Sequence, residues 1–195
     1  METRRKKLVF FSLVLVALVA GGVYRSVVHP SPRRLAAHTA GWDNGPRTAA
    51  RVMMERYGSP DRLAPGAVTW NARGPWKRIV VRDVPTGRYL EHTVAYWVPL
   101  SAIAPLSEFG RGVRADFAAD ELTASSDDES LNRLALNTAH DIAAGRRDAK
   151  GAAEFYDRTV RLAASGKGSV YLTNLLFQPY APERGSRRRR GIGYY

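Results

Sequence analysis

Apolar and polar residues alternate along this chain with two different periods. From Pro46 to Tyr57 the apolar positions Ala49, Ala50, Met53 and Tyr57 recur three and four residues apart, which predicts a helix over 46–57. Asn44 can cap it, Pro46 is tolerated in its first turn, and Gly58 and Pro60 stop it. After a loop-like stretch from Asp61 to Gly66, the segments Ala67 to Asn71, Trp76 to Asp83 and His92 to Val98 are rich in branched and aromatic residues and predict strands. The turns Asn71-Ala72-Arg73-Gly74-Pro75 and Pro85-Thr86-Gly87 join them, so an antiparallel meander is the economical arrangement.

Pro99 and Pro105 bracket a short helical piece, and Gly112 to Phe117 with Glu121 to Ser125 read as a more polar hairpin at the edge or flank of the sheet. Ser126-Asp127-Asp128-Glu129 matches a capping box. The helix it opens carries Leu131, Leu134, Ala135, Thr138 and Ile142 on one face and ends at Gly145. Asp148 can cap a second helix, with a stripe of Ala152, Phe155, Tyr156, Thr159, Leu162 and Ala163 that ends at Gly166, and the two helices form an antiparallel pair. Val170 to Phe177 reads as a last strand, and disorder is expected from Pro182 onward. The expected fold class is α+β: an antiparallel β-meander with an N-terminal helix and a C-terminal antiparallel helix pair, preceded by an N-terminal apolar signal or anchor helix.

That preceding segment has the most specific pattern in the chain. Arg4-Arg5-Lys6-Lys7 runs into the uncharged stretch Leu8 to Val23, which stops at Tyr24-Arg25. Cations followed by an unbroken apolar run are an export signal, and the positive-inside rule leaves the basic end in the cytoplasm with the rest of the chain across the membrane. As a helix the run reaches about 24 Å against the ~30 Å hydrocarbon core, and Tyr24 with the snorkelling Lys7 and Arg25 can close the gap. Val19-Ala20-Gly21 and Ala20-Gly21-Gly22 also suit cleavage, so an uncleaved anchor over residues 8–24 and a cleaved leader both stand. A lipid anchor on cysteine is excluded, because the chain has none. The expected organisation is a signal anchor or signal peptide over 1–25, a Pro/Arg-containing linker over 26–41, one domain over 42–180 and an Arg-rich tail over 181–195.

The net charge of +12 changes its meaning once it is located. Between Trp42 and Pro182 basic and acidic residues nearly balance, so the surplus sits in the leader, the linker and the tail. Inside the domain, residues 43–114 are basic on balance and residues 116–163 acidic. The tail arginines Arg187, Arg188, Arg189 and Arg190 can contact a polyanion. Outside the cytoplasm that polyanion is an anionic lipid or a cell-surface polymer, and nucleic acid is disfavoured.

Candidate chemistry is sparse. His29 and His38 fall in the linker, His92 starts a strand and His140 sits on a helix, with no spacing that suits a metal site, so no metal and no cofactor is expected. Glu91 and His92 point to opposite faces of a strand, and His140 and Asp141 diverge on a helix. Gly166-Lys167-Gly168-Ser169 fails as a phosphate loop because Gly168 interrupts the triplet and a helix precedes it, which leaves a helix cap and turn. The turn Gly74-Pro75 delivers Trp76 beside Lys77 and Arg78, with Trp70 across the hairpin, and strand alternation puts Trp76 and Arg78 on one face and Lys77 on the other. Such a group is either an indole stacked on its own guanidinium or a site for an anionic or aromatic ligand, with Trp70, Trp76, Lys77 and Arg78 as its residues. Tyr96-Trp97 puts aromatics on both faces of the next strand, as in a sheet covered on both sides.

Tyr57-Gly58-Ser59-Pro60, Trp70, Gly74 to Arg78, Leu134 to Ile142 and Phe155-Tyr156 together resemble a set of uncharacterised bacterial proteins over about residues 45 to 160. The resemblance implies a shared fold and a bacterial source, and carries no activity or catalytic residue. A helix ending in Gly-x-Pro before Trp-bearing strands is also loosely similar to small outer-membrane assembly lipoproteins, whose lipid-bearing cysteine this chain lacks. The function expected is that of a non-enzymatic bacterial envelope protein, anchored with its C-terminal domain extracytoplasmic or released by cleavage, that binds a protein partner or ligand through the basic hairpin. An extracytoplasmic enzyme built on His92 or His140 with a carboxylate is the alternative, and the oligomeric state stays open.

Overall fold

The structure is a computed structural model that describes residues 30–85 and 87–180. It is an α+β fold: a six-stranded antiparallel sheet with several helices. The apolar run Leu8 to Val23 and the tail over 181–195 lie outside the described residues; among those described, no helix is long and apolar enough to cross a membrane.

Helix α1 (Pro32–His38) opens with Ser31 accepting from the Arg34 amide and Pro32 in its first turn. It lies within the stretch read as linker, and Leu35, Thr39 and Trp42 are buried there, so this part of the chain joins the core. Helix α2 (Asn44–Tyr57) follows the predicted period and buries Ala49, Ala50 and Met53.

The strands are β1 (Arg62–Ala64), β2 (Ala67–Arg73), β3 (Trp76–Arg82), β4 (Leu90–Ala95), β5 (Val113–Asp116) and β6 (Glu121–Ser126), in the order β1-β2-β3-β4-β6-β5. β2, β3 and β4 form the expected meander, and β1 adds a strand at its edge. β6 then pairs with β4 and leaves β5 on the edge, where its polar composition suits half-solvated positions. The stretch Asp61 to Gly66, loop-like in sequence, contains β1, a short edge strand hydrogen-bonded to β2 across a turn in which Gly66 takes φ +67°. β4 starts earlier than predicted and ends before Trp97. His92, Thr93 and Val94, and Glu121 to Ala124 on β6, are buried without alternation, so the centre of the sheet is covered on both faces.

Past β4, a 3₁₀ turn (Leu100–Ala102) runs into α3 (Ile103–Phe109), and Pro105 falls inside its first turn, where it needs no amide partner. Helices α4 (Glu129–Ala143) and α5 (Ala149–Ala164) pack on each other, and α4 lies on β6 and β4. The α4 cap differs from the predicted box. Ser126 is the last residue of β6, and Asp128 caps the helix by accepting from the Ser130 amide at 2.6 Å.

The predicted last strand is instead a short helix, α6 (Val170–Thr173), followed by irregular chain. The reason lies in α4. The Asn137 amide donates to the carbonyls of Tyr171 (3.0 Å) and Asn174 (2.7 Å) and accepts from the Leu176 amide (2.8 Å), so one buried side chain meets backbone groups that a neighbouring strand would otherwise satisfy.

Gly112, with φ +79°, meets β6 so closely that an added Cβ would fall 2.2 Å from the Ser125 carbonyl oxygen. Gly112→Ala is therefore expected to cost about 3 kcal/mol, from left-handed strain plus a backbone clash. Gly166→Ala, at φ +82° with open space around it, should cost only about 1 kcal/mol. Urea unfolding of both variants checks the difference.

Candidate functional site

The polar groups of the core converge on Glu129, the first residue of α4. Its carboxylate accepts from the Tyr57 hydroxyl and pairs with Arg56, both at the end of α2, and with Arg133 one turn along α4. Glu129 is 4% exposed, so its charge is met by two guanidiniums, a hydroxyl and the helix start rather than by water. The Tyr57 hydroxyl in turn accepts from Trp76 Nε1 at 2.9 Å. Burial and the bond to Glu129 push the Tyr57 phenol up from its ordinary value, so it remains a neutral donor.

The network continues into the sheet. The Trp76 ring lies 4.4 Å from the His92 ring and 5.7 Å from the Arg133 guanidinium. His92 is fully buried, and Asn132 Nδ2 approaches both the Leu90 carbonyl oxygen (2.8 Å) and His92 Nδ1 (2.9 Å). The Leu90 oxygen fixes the amide orientation, because only the NH2 end can face it. His92 Nδ1 is thus an acceptor and its proton sits on Nε2. His92 Nε2 and Asn132 Oδ1 have no hydrogen-bond partner among the described residues. Burial first, then the nearby Arg133 and Arg56, lower the His92 pKa to about 3.

A cleft of about 420 Å³ opens over this network between α2 and the start of α4, lined by Asn44, Arg56, Tyr89, Asp127, Glu129 and Arg133 among others. Charges of both signs face it, and the half-exposed Arg56 is the guanidinium presented most openly. A second cluster holds the C-terminal segment. Asp141, at the end of α4, accepts from Arg146 (2.8 Å), Arg147 (3.0 Å) and the Tyr171 hydroxyl (2.8 Å). Burial pushes its carboxyl up, but these three donors outweigh burial and hold it below the ordinary value. Beside it, His140 Nδ1 lies 2.7 Å from the Tyr96 hydroxyl, with Phe177 against both rings.

The hairpin residues are all in place, but not as a solvent-facing group. Trp70 is fully buried and donates to the Gly58 carbonyl at 2.9 Å, and Trp76 is buried in the Glu129 network. Lys77 and Arg78 do not diverge as simple alternation predicts; both reach Glu121, at 2.8 and 2.9 Å. Burial raises the Glu121 carboxyl, and the two cations together bring it below its ordinary value. Arg187 to Arg190 lie outside the described residues. Sequence reasoning missed Arg56, Tyr57, Asn132 and Arg133, and took Glu129 for a capping-box residue. The available signal was the i,i+4 pair Glu129 and Arg133 on a helix face otherwise apolar. Comparison with protein-family models, with curated proteins and with solved structures finds no match.

Two measurements test this network. Glu129→Gln leaves Arg133 and Arg56 without a counter-charge and is expected to cost about 3 kcal/mol in urea unfolding, against about 1 kcal/mol for Tyr57→Phe. The depressed His92 pKa means that below about pH 6.5 the unfolded chain binds a proton that the folded chain refuses. Stability is therefore full above that pH and falls as pH drops toward 3. Between pH 6.5 and 5 the loss should be about 2 kcal/mol, with a smaller contribution of the same sign from His140, whose pKa burial also lowers. His92→Gln should remove most of that slope.

Proposed function

We propose that this chain is a bacterial cell-envelope protein whose folded domain is carried across the cytoplasmic membrane and works there by binding rather than by catalysis. The observation that carries the reading is the leader: four adjacent cations followed by the uninterrupted apolar run Leu8 to Val23. A soluble helix of that composition has no polar face to present to water.

The bonding of the polar residues supports the second half of the reading. The enzymatic alternative expects a histidine paired with a carboxylate, and the side-chain partners of His92 and His140 are instead Asn132 and the Tyr96 hydroxyl. Glu129 and Asp141 are each held by two arginines and a tyrosine hydroxyl, which commits their carboxylate oxygens to the fold. Binding then falls to surfaces that the fold leaves open: the cleft at Arg56, and the sheet end where Lys77 and Arg78 share one carboxylate.

Fractionation of native cells with intact-mass analysis of the recovered protein tests the reading. Full-length mass in the membrane fraction is expected for an anchor, and a mass beginning at Gly22 or Val23 outside the cytoplasm for a cleaved leader. Full-length protein in the soluble cytoplasmic fraction would overturn export altogether.

A further inference from the structure

One face of α2 forms a wall of the cleft that opens over the Glu129 network, and the residues of that wall recur four apart: Asn44, Thr48, Val52 and Arg56. Tyr89 closes one end, packed so tightly on Gly45 that an added Cβ would fall 2.9 Å from its ring. Arg56 stands at the other end, about 16 Å farther along the helix axis. Leu90 and the first turns of α4 make the opposite wall. A cleft of about 420 Å³ falls within the range of small-ligand sites.

The two ends differ in charge. Arg56 and Arg133 both pair with Glu129, so two guanidiniums share one carboxylate and a positive charge is left over, with half of the Arg56 side chain exposed. Asp127 and Asp128 stand at the Tyr89 end, and among the described residues Arg56 and Arg133 are the only cations that line the cleft. Arg88, next to Tyr89 in sequence, is exposed and lines no part of it. Asp128 is committed to the α4 cap, but Asp127 and the Tyr89 hydroxyl have no hydrogen-bond or ion-pair partner among the described residues. Burial, then Asp127 and Asp128, push the Tyr89 phenol up from its ordinary value, which ties these three groups to one end. Between the ends, Thr48 offers a hydroxyl and Val52 an apolar surface.

We propose that the cleft binds a short linear peptide as a zwitterion, with its ammonium at Asp127 and the Tyr89 ring and its carboxylate at Arg56, a site that rests on the reading of this domain as a binding module and gives that reading a ligand class. An ammonium gains from a carboxylate that has no other partner and from the face of an aromatic ring, and a guanidinium holds a carboxylate through paired N–H donors. An extended tripeptide reaches about 10 Å between its charged ends, and a hydrogen bond of about 3 Å at each end completes the length of the α2 wall. The Thr48 hydroxyl then lies beside the peptide groups between them. A dianion is repelled at Asp127 and Asp128, and a dication at Arg56 and Arg133, so the cleft selects a ligand with one charge of each sign.

The probe is tri-alanine, titrated against full-length protein and read by saturation-transfer NMR on its methyl protons. Beside it run N-acetyl-tri-alanine, which lacks the ammonium, and tri-alanine amide, which lacks the carboxylate. Free tri-alanine is expected to bind, and each blocked form to bind at least about tenfold more weakly. Asp127→Asn should take free tri-alanine no better than the unaltered protein takes the acetylated form, with acetylation then costing nothing further, and Arg56→Gln should do the same for the amide. Asp127 lies outside the Glu129 network, so its arm of the test stands even if Arg56→Gln loses the fold. No transfer to tri-alanine at about 10 mM overturns the peptide site. Equal response to all three peptides overturns it as well, and so does a loss on blocking one end alone, which would mean a simple anion or cation site. Export is read by fractionation and not by peptide binding, so the site can fail while the envelope reading holds, and the reverse.

Discussion

The rest of the structure depends on a buried carboxylate. Glu129 opens α4 inside the protein, and an ionised group taken from water is tolerated only when its lone pairs are all used. Meeting that demand takes Arg56 and Tyr57 from the last turn of α2 and Arg133 from α4 itself. Tyr57 then has to sit within reach of the Trp76 indole, which fixes α2 against the start of β3. Trp76 rests on His92, and His92 is tied to α4 again through Asn132, so the path closes on itself. Two helices and two strands are thereby held in one arrangement by groups that cannot be lost singly without stranding another. Hydrophobic burial around Trp70, Met53 and Val68 supplies the driving force, but it is directionless, and the polar path selects among the ways those surfaces could meet.

The same economy recurs outside the core and decides where charge is left over. Glu121 takes Lys77 and Arg78, Asp141 takes Arg146 and Arg147, Glu91 takes Arg82, and Asp157 takes Arg111. The exposed pairs among these add little stability, yet each cancels field at the surface. Between Trp42 and Pro182 the chain is therefore nearly neutral, and its basic surplus lies before and after that span in sequence. Asn137 works in the same way on uncharged groups, since it fixes the path of residues 171–176 after the last helix.

Much of the fold could be read from the sequence because it is written in local periodicity. The Ala49, Ala50, Met53 and Tyr57 spacing gave α2, and the strand-rich segments split by Gly and Pro gave the meander. Where the reading failed, a distant partner had overridden the local pattern. Val170 to Phe177 is apolar enough for a strand, and only Asn137, from another helix, makes its helical and irregular path the satisfied one. Ser126 fits a capping box as well as Asp128 fits a cap, and the pairing of Ser126 with Leu90 decides between them. The Glu129 network was less legible still, since four elements far apart in sequence supply it and none carries a motif. Its residues look, singly, like ordinary helix-surface charge.

The tryptophans separate what folding requires from what it does not. Trp70 and Trp76 are large apolar groups whose N–H donors must find acceptors when buried, and Gly58 and the Tyr57 hydroxyl provide them. Their presence in a basic hairpin is thus accounted for by the core alone, with no ligand needed. Trp97 has no such account. It lies beyond the last hydrogen-bonded residue of β4, more than half exposed, with Leu100 and Ile103 turned outward after it while their neighbours Val98 and Ala102 complete the core. A polar residue at Leu100, which is 80% exposed, would serve the fold as well, since so little of that side chain is packed. Scattered apolar exposure needs no explanation in a folded protein, but here it is gathered on one stretch just past β4. The bonding inside the domain thus accounts for Trp70 and Trp76, while the outward position of Trp97 and Leu100 answers to none of the hydrogen-bond demands that place the other two.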